Sequence, residues 1–367
     1  MGEVHGLPLA DYADNASPKP PFGLQEAPLS NILVTGAAGL LGGEICALLV
    51  AGGHRVTALV HTNRDIRAND GAPVPVAAIV AGDVSLERFG WNAAQFEGVA
   101  AEHDLLIHCA ATVRFDLDEA DYRAVNVEGT RHALALARAG GMAYLHIGTA
   151  YVCGTRDGTV REDDPLPEGG FANGYEASKA AGERLVRASG SKWAVARPSI
   201  VLGDSASGAI RQFDTTYAAF KLIAEGKVRA MPATPGATLD FVPIDHVARG
   251  VAAIAERMER AAGGTYHLVS GQPLAVTRFA TAIGAYPHFS APALVAPETF
   301  DPAALAPLER RLFRRIAGLY ASYFQRDPRF DDTAFRTLTG RTCPPTGEAY
   351  IRRLIDHCIA VGFLPAG

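Results

Sequence analysis

A tyrosine and a lysine four positions apart, Tyr175 and Lys179, are residues whose types and spacing suit catalysis. The stretch GYEASK over 174–179 predicts the start of a helix, and a spacing of four places both side chains on one helical face. An ammonium beside a phenol can lower the pKa of the phenol, and the phenol can exchange a proton with a substrate oxygen. The pair therefore predicts proton transfer to an oxygen atom, with Tyr175 as the donor.

A hydroxyl and an amide precede this pair in chain order. Thr149 lies 26 residues before Tyr175, at the end of a predicted strand, where its hydroxyl can hydrogen-bond a substrate oxygen beside the tyrosine. Asn126 lies in a predicted helix over 122–139, where its side chain can bind backbone or water. A core threonine, a surface Tyr–Lys pair and a helix-bending asparagine are the structural alternatives. The four residues nevertheless occur together, in this order and after a glycine-rich turn. This favours a catalytic group, formed by Thr149, Tyr175, Lys179 and Asn126.

A glycine-rich turn follows the predicted strand 31–35 and leads directly into a predicted helix over 40–51. Gly36 permits the tight turn, Gly39 lets the backbone approach a pyrophosphate, and Gly42 allows close helix packing. The helix N-terminus adds unpaired N–H groups and a positive dipole end. The segment predicts a dinucleotide site, in which Lys179 also holds ribose hydroxyls. Its expected contacts are Thr35, Gly36, Ala38, Gly39, Leu40, Leu41 and Gly42.

The residues after the next strands indicate which dinucleotide is expected. NAD sites usually carry an acid after the second strand, but here that strand is followed by HTNR, with no acid before Asp65. A cation at this place suits a 2′-phosphate, so NADPH is the expected cofactor, contacted by His61 and Arg64. The alternative role for Arg64 is solvation of a loop. Asp83 can meet the adenine amino group. The remaining expected contacts are Val84, Ala110, Ala111 and Thr112.

Buried strands alternate with helical stretches around these residues, which predicts an α/β fold with a Rossmann-type, doubly wound parallel sheet. The strands are continuously apolar, as expected where helices cover both faces of a sheet. They are predicted over 31–35, 55–60, 76–81, 104–109, 142–148, 193–201 and 265–269.

The regular alternation of strands and helices ends after residue 203. Segments rich in Gly, Ser and Pro come next, and helical stretches follow them. A smaller, mostly helical cap that binds substrate is expected there, formed by residues 205–240 and 271–367, hereafter the cap segments. The expected dinucleotide-binding domain covers 30–204, and 241–270 return to it. Residues 1–29 are expected to form a flexible arm.

The composition narrows the class of protein. A formal net charge of −5 over 367 residues gives no basic field for nucleic acid, and no apolar run reaches the length of a membrane span. The N-terminus lacks the pattern of a secretory signal. Five cysteines without a CxxC pair predict reduced thiols of a cytoplasmic protein, and no histidine spacing predicts a metal.

Longer stretches resemble a known superfamily. TGAAGLLG (35–42), Asp83, Asn126, Thr149 and YEASK are similar to motifs of extended short-chain dehydrogenase/reductases. More narrowly, five segments resemble the acyl-thioester reductases, which include fatty acyl-CoA reductases and the terminal reductase domains of carboxylic acid reductases and peptide synthetases. They are HCAATVRFD (108–116), HIGTAYVCG (146–154), NGYEASKAAGERLV (173–186), RPSIVLGDSASG (197–208) and DFVPIDHVA (240–248).

This resemblance, which covers about residues 31–270, implies an activity and residue roles. The implied reaction is NADPH-dependent reduction of an acyl thioester, carried by CoA or an acyl carrier protein, to an aldehyde, with onward reduction to an alcohol left open. Tyr175 is implied as proton donor, Lys179 as its activator and ribose ligand, and Thr149 as donor to the carbonyl oxygen. Three residues are implied near the nicotinamide: Pro198, Ser199 and Ile200.

Two other classes of function remain open at this stage. The first is a nucleotide-sugar epimerase or dehydratase, or a hydroxysteroid-type dehydrogenase, but such enzymes usually keep an acid after the second strand. The second is a regulator that binds NADP without turnover, but such proteins typically lack the Tyr–Lys pair. The sequence indicates neither the acyl group nor the oligomeric state.

Overall fold

The computed structural model describes residues 30–367. The expected N-terminal arm over 1–29 lies outside the described residues. The strands share short lengths and mostly buried side chains. In chain order they are β1 (Asn31–Thr35), β2 (Arg55–Val60), β3 (Ala78–Ala81), β4 (Leu105–His108), β5 (Ala143–Ile147), β6 (Gly158–Val160), β7 (Trp193–Pro198), β8 (Ile200–Leu202), β9 (Ala230–Pro232), β10 (Thr238–Leu239), β11 (Phe241–Pro243), β12 (Thr265–Leu268), β13 (Leu274–Ala275), β14 (Ala293–Val295) and β15 (Pro328–Phe330).

The α-helices lie mainly between these strands and in the cap segments. They are α1 (Leu40–Ala51), α2 (Ala93–Ala101), α3 (Glu119–Tyr122), α4 (Gly129–Gly140), α5 (Gly174–Arg187), α6 (Thr215–Ala224), α7 (Ile244–Ala255), α8 (Met258–Ala261), α9 (Val276–Gly284), α10 (Pro307–Arg315), α11 (Thr333–Thr339) and α12 (Glu348–Ala360). A π-helical segment, Arg123–Glu128, joins α3 to α4, and a 3₁₀ helix, Ala317–Phe324, follows α10.

Seven strands form one parallel sheet in the order β12-β7-β5-β4-β1-β2-β3. The order reverses at β1, whose neighbours are β2 on one side and β4 on the other. This is the doubly wound arrangement, and ligands in such sheets bind beyond the carboxyl ends of the strands at the point of reversal. The predicted Rossmann-type fold is confirmed.

Helices cover both faces of this sheet. On one face Ile45 of α1 and Val251 of α7 pack into a core with the strands. On the other face Leu134 of α4 and Val186 of α5 pack into a second core. Both faces are therefore buried, which explains why the strands read as continuous apolar runs rather than as alternating patterns.

A third core lies in the cap segments, where aromatic side chains are prominent. Phe279, Phe324 and Tyr350 are among its buried members. The cap segments also contribute short strand pairs, since β9 pairs with β14 and β10 with β13. Helix α11 departs from this core, because its Phe335 packs on the sheet side with α7 and β12.

The predicted strand over 193–201 is divided in the structure. It forms β7 up to Pro198 and, after Ser199, a separate β8 that pairs with β11 instead of joining the seven-stranded sheet. Asp240 explains the break, because its carboxylate accepts from the Ser199 hydroxyl at 2.5 Å and its carbonyl accepts from Ile200 N at 3.1 Å. The predicted helix over 122–139 is also divided, into the π-helical segment and α4.

Among residues 30–367, the helices are all too short or too polar to cross a membrane.

Candidate active site

A cleft of about 430 Å³ opens beyond the carboxyl ends of the central strands. Its walls come from the turn after β1, the ends of β4, β5 and β7, the start of α5, and the cap segments. Twelve of the predicted site residues line it: Gly36, Gly39, Leu40, Leu41, Gly42, Ala111, Thr149, Tyr175, Lys179, Pro198, Ser199 and Ile200. The point where the strand order reverses is thus also where the predicted residues meet.

The turn between β1 and α1 requires glycine at two positions. Gly36 has a φ of +67°, and a Cβ there would lie 2.8 Å from the Ala110 backbone. A Cβ on Gly42 would lie 2.2 Å from the Gly36 carbonyl oxygen, so any larger residue would push α1 away from the turn. The close turn brings the first N–H groups of α1 to the cleft.

The N-terminus of α1 suits an anion. No side chain caps it, and its first turn carries no acidic residue. The residues of this first turn, Leu40, Leu41 and Gly42, line the cleft. Arg211 of the cap segments donates to the Gly39 carbonyl at 3.2 Å and adds positive charge at this turn. Free N–H groups, a positive helix end and an arginine fit the pyrophosphate of a dinucleotide.

Thr35 lies beneath the turn and does not line the cleft. Its hydroxyl accepts from Ala110 N at 3.1 Å and is also hydrogen-bonded to Nδ1 of His108, 2.9 Å away. Burial, together with the charge of Lys179, lowers the pKa of His108 to about 3. The neutral imidazole and Thr35 thus hold the ends of β1 and β4 together.

Tyr175 and Thr149 meet in the cleft. Asn173 caps α5 by accepting from Glu176 N at 2.9 Å, so the helix begins at Gly174 and presents Tyr175 from its first turn. Thr149 follows β5 directly and lines the cleft together with Tyr175, where its hydroxyl acts to lower the pKa of the phenol. The two hydroxyls can therefore bind one substrate oxygen together.

Lys179 is buried one helical turn further along α5, with 4% of its surface exposed. Its Nζ donates to the Ile147 carbonyl at 2.7 Å. Burial lowers the pKa of Lys179 to about 8, which Cys109 and Glu183 partly oppose. Burial also raises the pKa of Tyr175 above its ordinary value, which Thr149 partly opposes. The Lys179 ammonium is directed to the β5 backbone, and lowering of the Tyr175 pKa by Lys179 stays a prediction.

Asn126 lies behind the cleft rather than in its wall. Its side chain accepts from Thr112 N at 2.9 Å and donates to Thr112 O at 3.1 Å and to the Ser178 hydroxyl at 2.9 Å. The Ser178 hydroxyl in turn donates to the Tyr175 carbonyl at 2.8 Å. The π-helical segment therefore joins the loop after β4 to the helix that carries Tyr175. Asn126 thus contacts the Thr112 backbone and Ser178 and does not itself line the cleft.

The residues predicted at the adenosine end lie away from the cleft wall. Nε2 of His61 lies 3.5 Å from the Asp83 carboxylate, and Asp83 accepts two further hydrogen bonds, from Ser85 N and Oγ. Arg64 is exposed on the loop after β2. The other predicted contacts outside the cleft wall are Thr35, Ala38, Val84, Ala110 and Thr112.

Aromatic residues of the cap segments complete the cleft, and sequence reasoning missed them. The Phe115 ring lies 5.4 Å from the Tyr175 ring and 5.1 Å from the Tyr320 ring. The Tyr323 ring lies 6.0 Å from the Phe115 ring and 6.3 Å from the Tyr320 ring. Tyr320 and Tyr323 lie more than 140 residues after Tyr175, in a tail without a recognised motif. No sequence signal places them here, because long-range packing brings the tail to the cleft.

The comparison with family models decides the family. The model described as Male sterility protein, an NAD-binding family, matches residues 34–251, which is more than half of the chain. The chain belongs to the Male sterility protein family. The predicted membership of the extended short-chain dehydrogenase/reductases, with similarity to acyl-thioester reductases, is confirmed.

Two curated relatives of this Male sterility protein family member are reductases by name, and others are peptide synthetases. Aldehyde reductase lnaA of Aspergillus flavus is 30% identical over 190 residues, which are 48% of this chain and 18% of that protein. Fatty acyl-CoA reductase 1 of Xenopus laevis is 31% identical over 176 residues, or 39% of this chain and 34% of that protein. The aligned part is thus a minor share of these relatives. The comparisons support an NAD(P)-dependent oxidoreductase.

A solved structure is similar over nearly the whole described chain. The terminal R domain from the myxalamid PKS-NRPS biosynthetic pathway has a TM-score of 0.80 and 25% sequence identity, and the match covers 92% of each chain. The similarity therefore extends beyond the family match at residue 251 into the cap segments.

Proposed function

We propose that this chain is a cytoplasmic NADPH-dependent reductase that converts an acyl thioester, carried by CoA or a carrier protein, into an aldehyde. The observation that carries the proposal is that Thr149 and Tyr175 line one cleft together with the N-terminus of α1. The similarity to a fatty acyl-CoA reductase and to a terminal R domain supports a thioester as the substrate.

Some residues of the cleft would bind the cofactor, and others would contact the substrate. The first turn of α1 and Arg211 would hold the pyrophosphate, and Pro198, Ser199 and Ile200 would lie beside the nicotinamide. NADPH, when bound, supplies a hydride to the thioester carbonyl carbon. Thr149 and Tyr175 then stabilise the negative charge on the carbonyl oxygen, and Tyr175 donates its proton there.

The raised pKa of Tyr175 suits this role, because the phenol keeps its proton until a strongly basic oxyanion forms beside it. Lys179 would hold the cofactor ribose with an ammonium that remains charged below about pH 8. Asn126 would keep Tyr175 in place through Ser178. The hemithioacetal that results collapses by loss of thiol and leaves an aldehyde.

The protonated thiols near the site favour a substrate that arrives already activated. Burial raises the pKa of Cys153 to about 11, and its Sγ donates to the Gly154 carbonyl. Burial likewise raises the pKa of Cys109, which lines the cleft, to about 11 although Lys179 opposes this. Neither thiol is poised as a thiolate to capture an acyl group. A thioester needs no such step, because its thiolate leaves without strong acid assistance.

The preference for NADPH rests on the loop after β2. Arg64 and His61 are exposed there, and the loop carries no acid before Asp65 to bind a ribose 2′-hydroxyl. We further propose that the cap segments form the substrate domain, since Tyr320 and Tyr323 line the cleft beside Phe115.

A substrate panel tests the proposal. NADPH oxidation and thiol release are measured with acyl-CoAs, acyl-pantetheines, free aldehydes, a ketosteroid and nucleotide sugars. The proposal requires thiol release that depends on NADPH with at least one class of thioester. Turnover of a sugar nucleotide or a ketone, with no thiol released from any thioester, would support the epimerase or dehydrogenase alternative instead. Cofactor binding without turnover of any substrate would support the regulator.

A further inference from the structure

A second, smaller cavity of about 70 Å³ lies in the cap segments behind the cleft. Four residues line both spaces: Ile200, Thr216, Tyr320 and Tyr323. The smaller cavity therefore adjoins the cleft, and the far end of a molecule held at Tyr175 would enter it between these four side chains.

The wall of the cavity is apolar. Ala219, Ile223, Met231 and Phe279 are typical of it, and all four are buried. Its lining residues carry no charged side chain, and three of its four hydroxyls are hydrogen-bonded: Tyr217 accepts from Gly203 N at 3.0 Å, and Thr216 donates to Tyr320 at 3.4 Å. The fourth belongs to Tyr323, whose side chain also lines the cleft. A charged or strongly polar group entering this space would lose its hydration without gaining a partner.

A buried cation close to the cavity, Arg326, offers no partner to a negatively charged group in it. The Arg326 guanidinium lies 4.5 Å from the centre of the Tyr323 ring, on a side chain that is 4% exposed. Its charge is already paired with Glu176. A carboxylate at the end of an acyl chain would therefore find no free counter-ion in the cavity wall.

We infer that this cavity, hereafter the tail pocket, binds the hydrocarbon end of an unbranched, uncharged acyl group. This inference rests on the proposed function and specifies its substrate class. A dry apolar cavity of about 150 Å³ accommodates a benzene ring, so a cavity of about half that volume holds about three carbons. The preferred substrate is thus an aliphatic acyl thioester of limited length, not an aminoacyl or dicarboxylic one.

The first experiment compares substrates of equal length. Hexanoyl-CoA and adipoyl-CoA both have six-carbon acyl groups and differ in the carboxylate at the far end. Because the tail pocket offers that carboxylate no partner, kcat/KM for adipoyl-CoA is expected to be at least about 100-fold lower. Equal kcat/KM values for the two substrates would overturn the inference while leaving thioester reduction intact.

The second experiment fills the pocket. Ala219→Leu adds bulk to the wall, and Ala218→Leu is the matched control, because Ala218 is its neighbour in α6 but does not line the pocket. Across butanoyl-, hexanoyl-, octanoyl- and decanoyl-CoA, Ala219→Leu is expected to move the optimum to a shorter chain. The decanoyl-to-butanoyl ratio of kcat/KM should fall about tenfold, and Ala218→Leu should leave it unchanged. Identical chain-length profiles for both variants would overturn the inference.

A binding measurement separates failure of the pocket from failure of the proposed function. Calorimetric titration with octanamide needs no turnover. If no thioester is reduced but octanamide binds the wild type and Ala218→Leu and not Ala219→Leu, the pocket is supported and the proposed reaction is wrong. If octanamide binds all three proteins equally, or none of them, the tail pocket is wrong whatever the enzyme reduces.

Discussion

Arg326 and Glu176 form an ion pair in which the two side chains are only 4% and 0% exposed. Glu176 directly follows Tyr175 in α5, whereas Arg326 belongs to the cap segments, 150 residues later. Arg326 also donates to the Gly154 carbonyl at 3.0 Å and lies over the rings of Tyr151 and Tyr323. One buried cation thus fixes the tail of the chain to the start of the helix that carries Tyr175.

Removal of this cation should destabilise the protein strongly. Arg326→Met leaves the Glu176 carboxylate buried without a counter-ion, so the free energy of unfolding should fall by about 3–5 kcal/mol. Arg329→Met is the control, because Arg329 pairs with Asp327 where both are partly exposed, and such pairs contribute about 0–1 kcal/mol. Urea unfolding measures both variants. Equal losses would show that the buried pair does not anchor the tail.

Tyr175→Phe should abolish proton donation and leave the cleft otherwise intact. Turnover is expected to fall by about 10²–10⁴-fold, with little change in NADPH affinity. Tyr286→Phe is the control, since its phenol bonds Asp356 on the surface of the cap segments. Steady-state kinetics and a cofactor titration measure the two effects. Activity within a few-fold of the wild type would remove Tyr175 from the mechanism.

Arg64→Ala should narrow the preference for NADPH over NADH. The loss of a charge-assisted contact to the 2′-phosphate is expected to cost about 1.5–3 kcal/mol in NADPH binding and nothing in NADH binding. Arg55→Ala, at the opposite end of β2, should change neither affinity. The check is the kcat/KM for each cofactor. Equal use of both cofactors by the wild type would contradict the assignment of the ribose pocket.

Lys179 should make activity sensitive to alkaline pH. Burial lowers its pKa to about 8, so the ammonium expected to hold the ribose is lost as the pH rises through that value. The KM for NADPH should therefore rise above about pH 8, and Lys179→Met should show a high KM that does not change there. A wild-type KM that stays constant up to pH 9.5 would argue against this role.

The lowered pKa of Lys179 also predicts how the free energy of unfolding depends on pH. The pKa of Lys179 is lower in the folded protein than the ordinary value of 10.5. Between these two values the unfolded chain binds more protons, so this residue makes the unfolding free energy rise with pH across that window. Stability and NADPH affinity should therefore change in opposite directions above about pH 8.

The sheet and the reactive residues could be predicted because their signals are local. Glycine at position 42 is required by its contact with Gly36, six residues earlier, and the four-residue spacing of Tyr175 and Lys179 is a property of one helix. Strand ends meet at one edge of a parallel sheet, which brings Thr149 to the same place.

The rest of the site depends on distant contacts. Tyr320 and Arg326 reach the cleft region only because the cap segments fold against α5, and no periodicity in the tail predicts that. The break at Ser199 was missed for the same reason, because Asp240 lies 41 residues further along the chain. The pKa of Tyr175 also follows from burial by surrounding segments rather than from its spacing to Lys179.

The most direct test of the central claim follows the hydride and the thiol in one reaction. Hexanoyl-CoA in excess is mixed with NADPH carrying deuterium at the transferred position, in the presence of a carbonyl trap, with Tyr175→Phe as the control. The account predicts one free thiol and one trapped hexanal, deuterated at its carbonyl carbon, for each NADPH oxidised, and almost none with Tyr175→Phe. Oxidation of NADPH without release of thiol, or trapped aldehyde without deuterium, would contradict it.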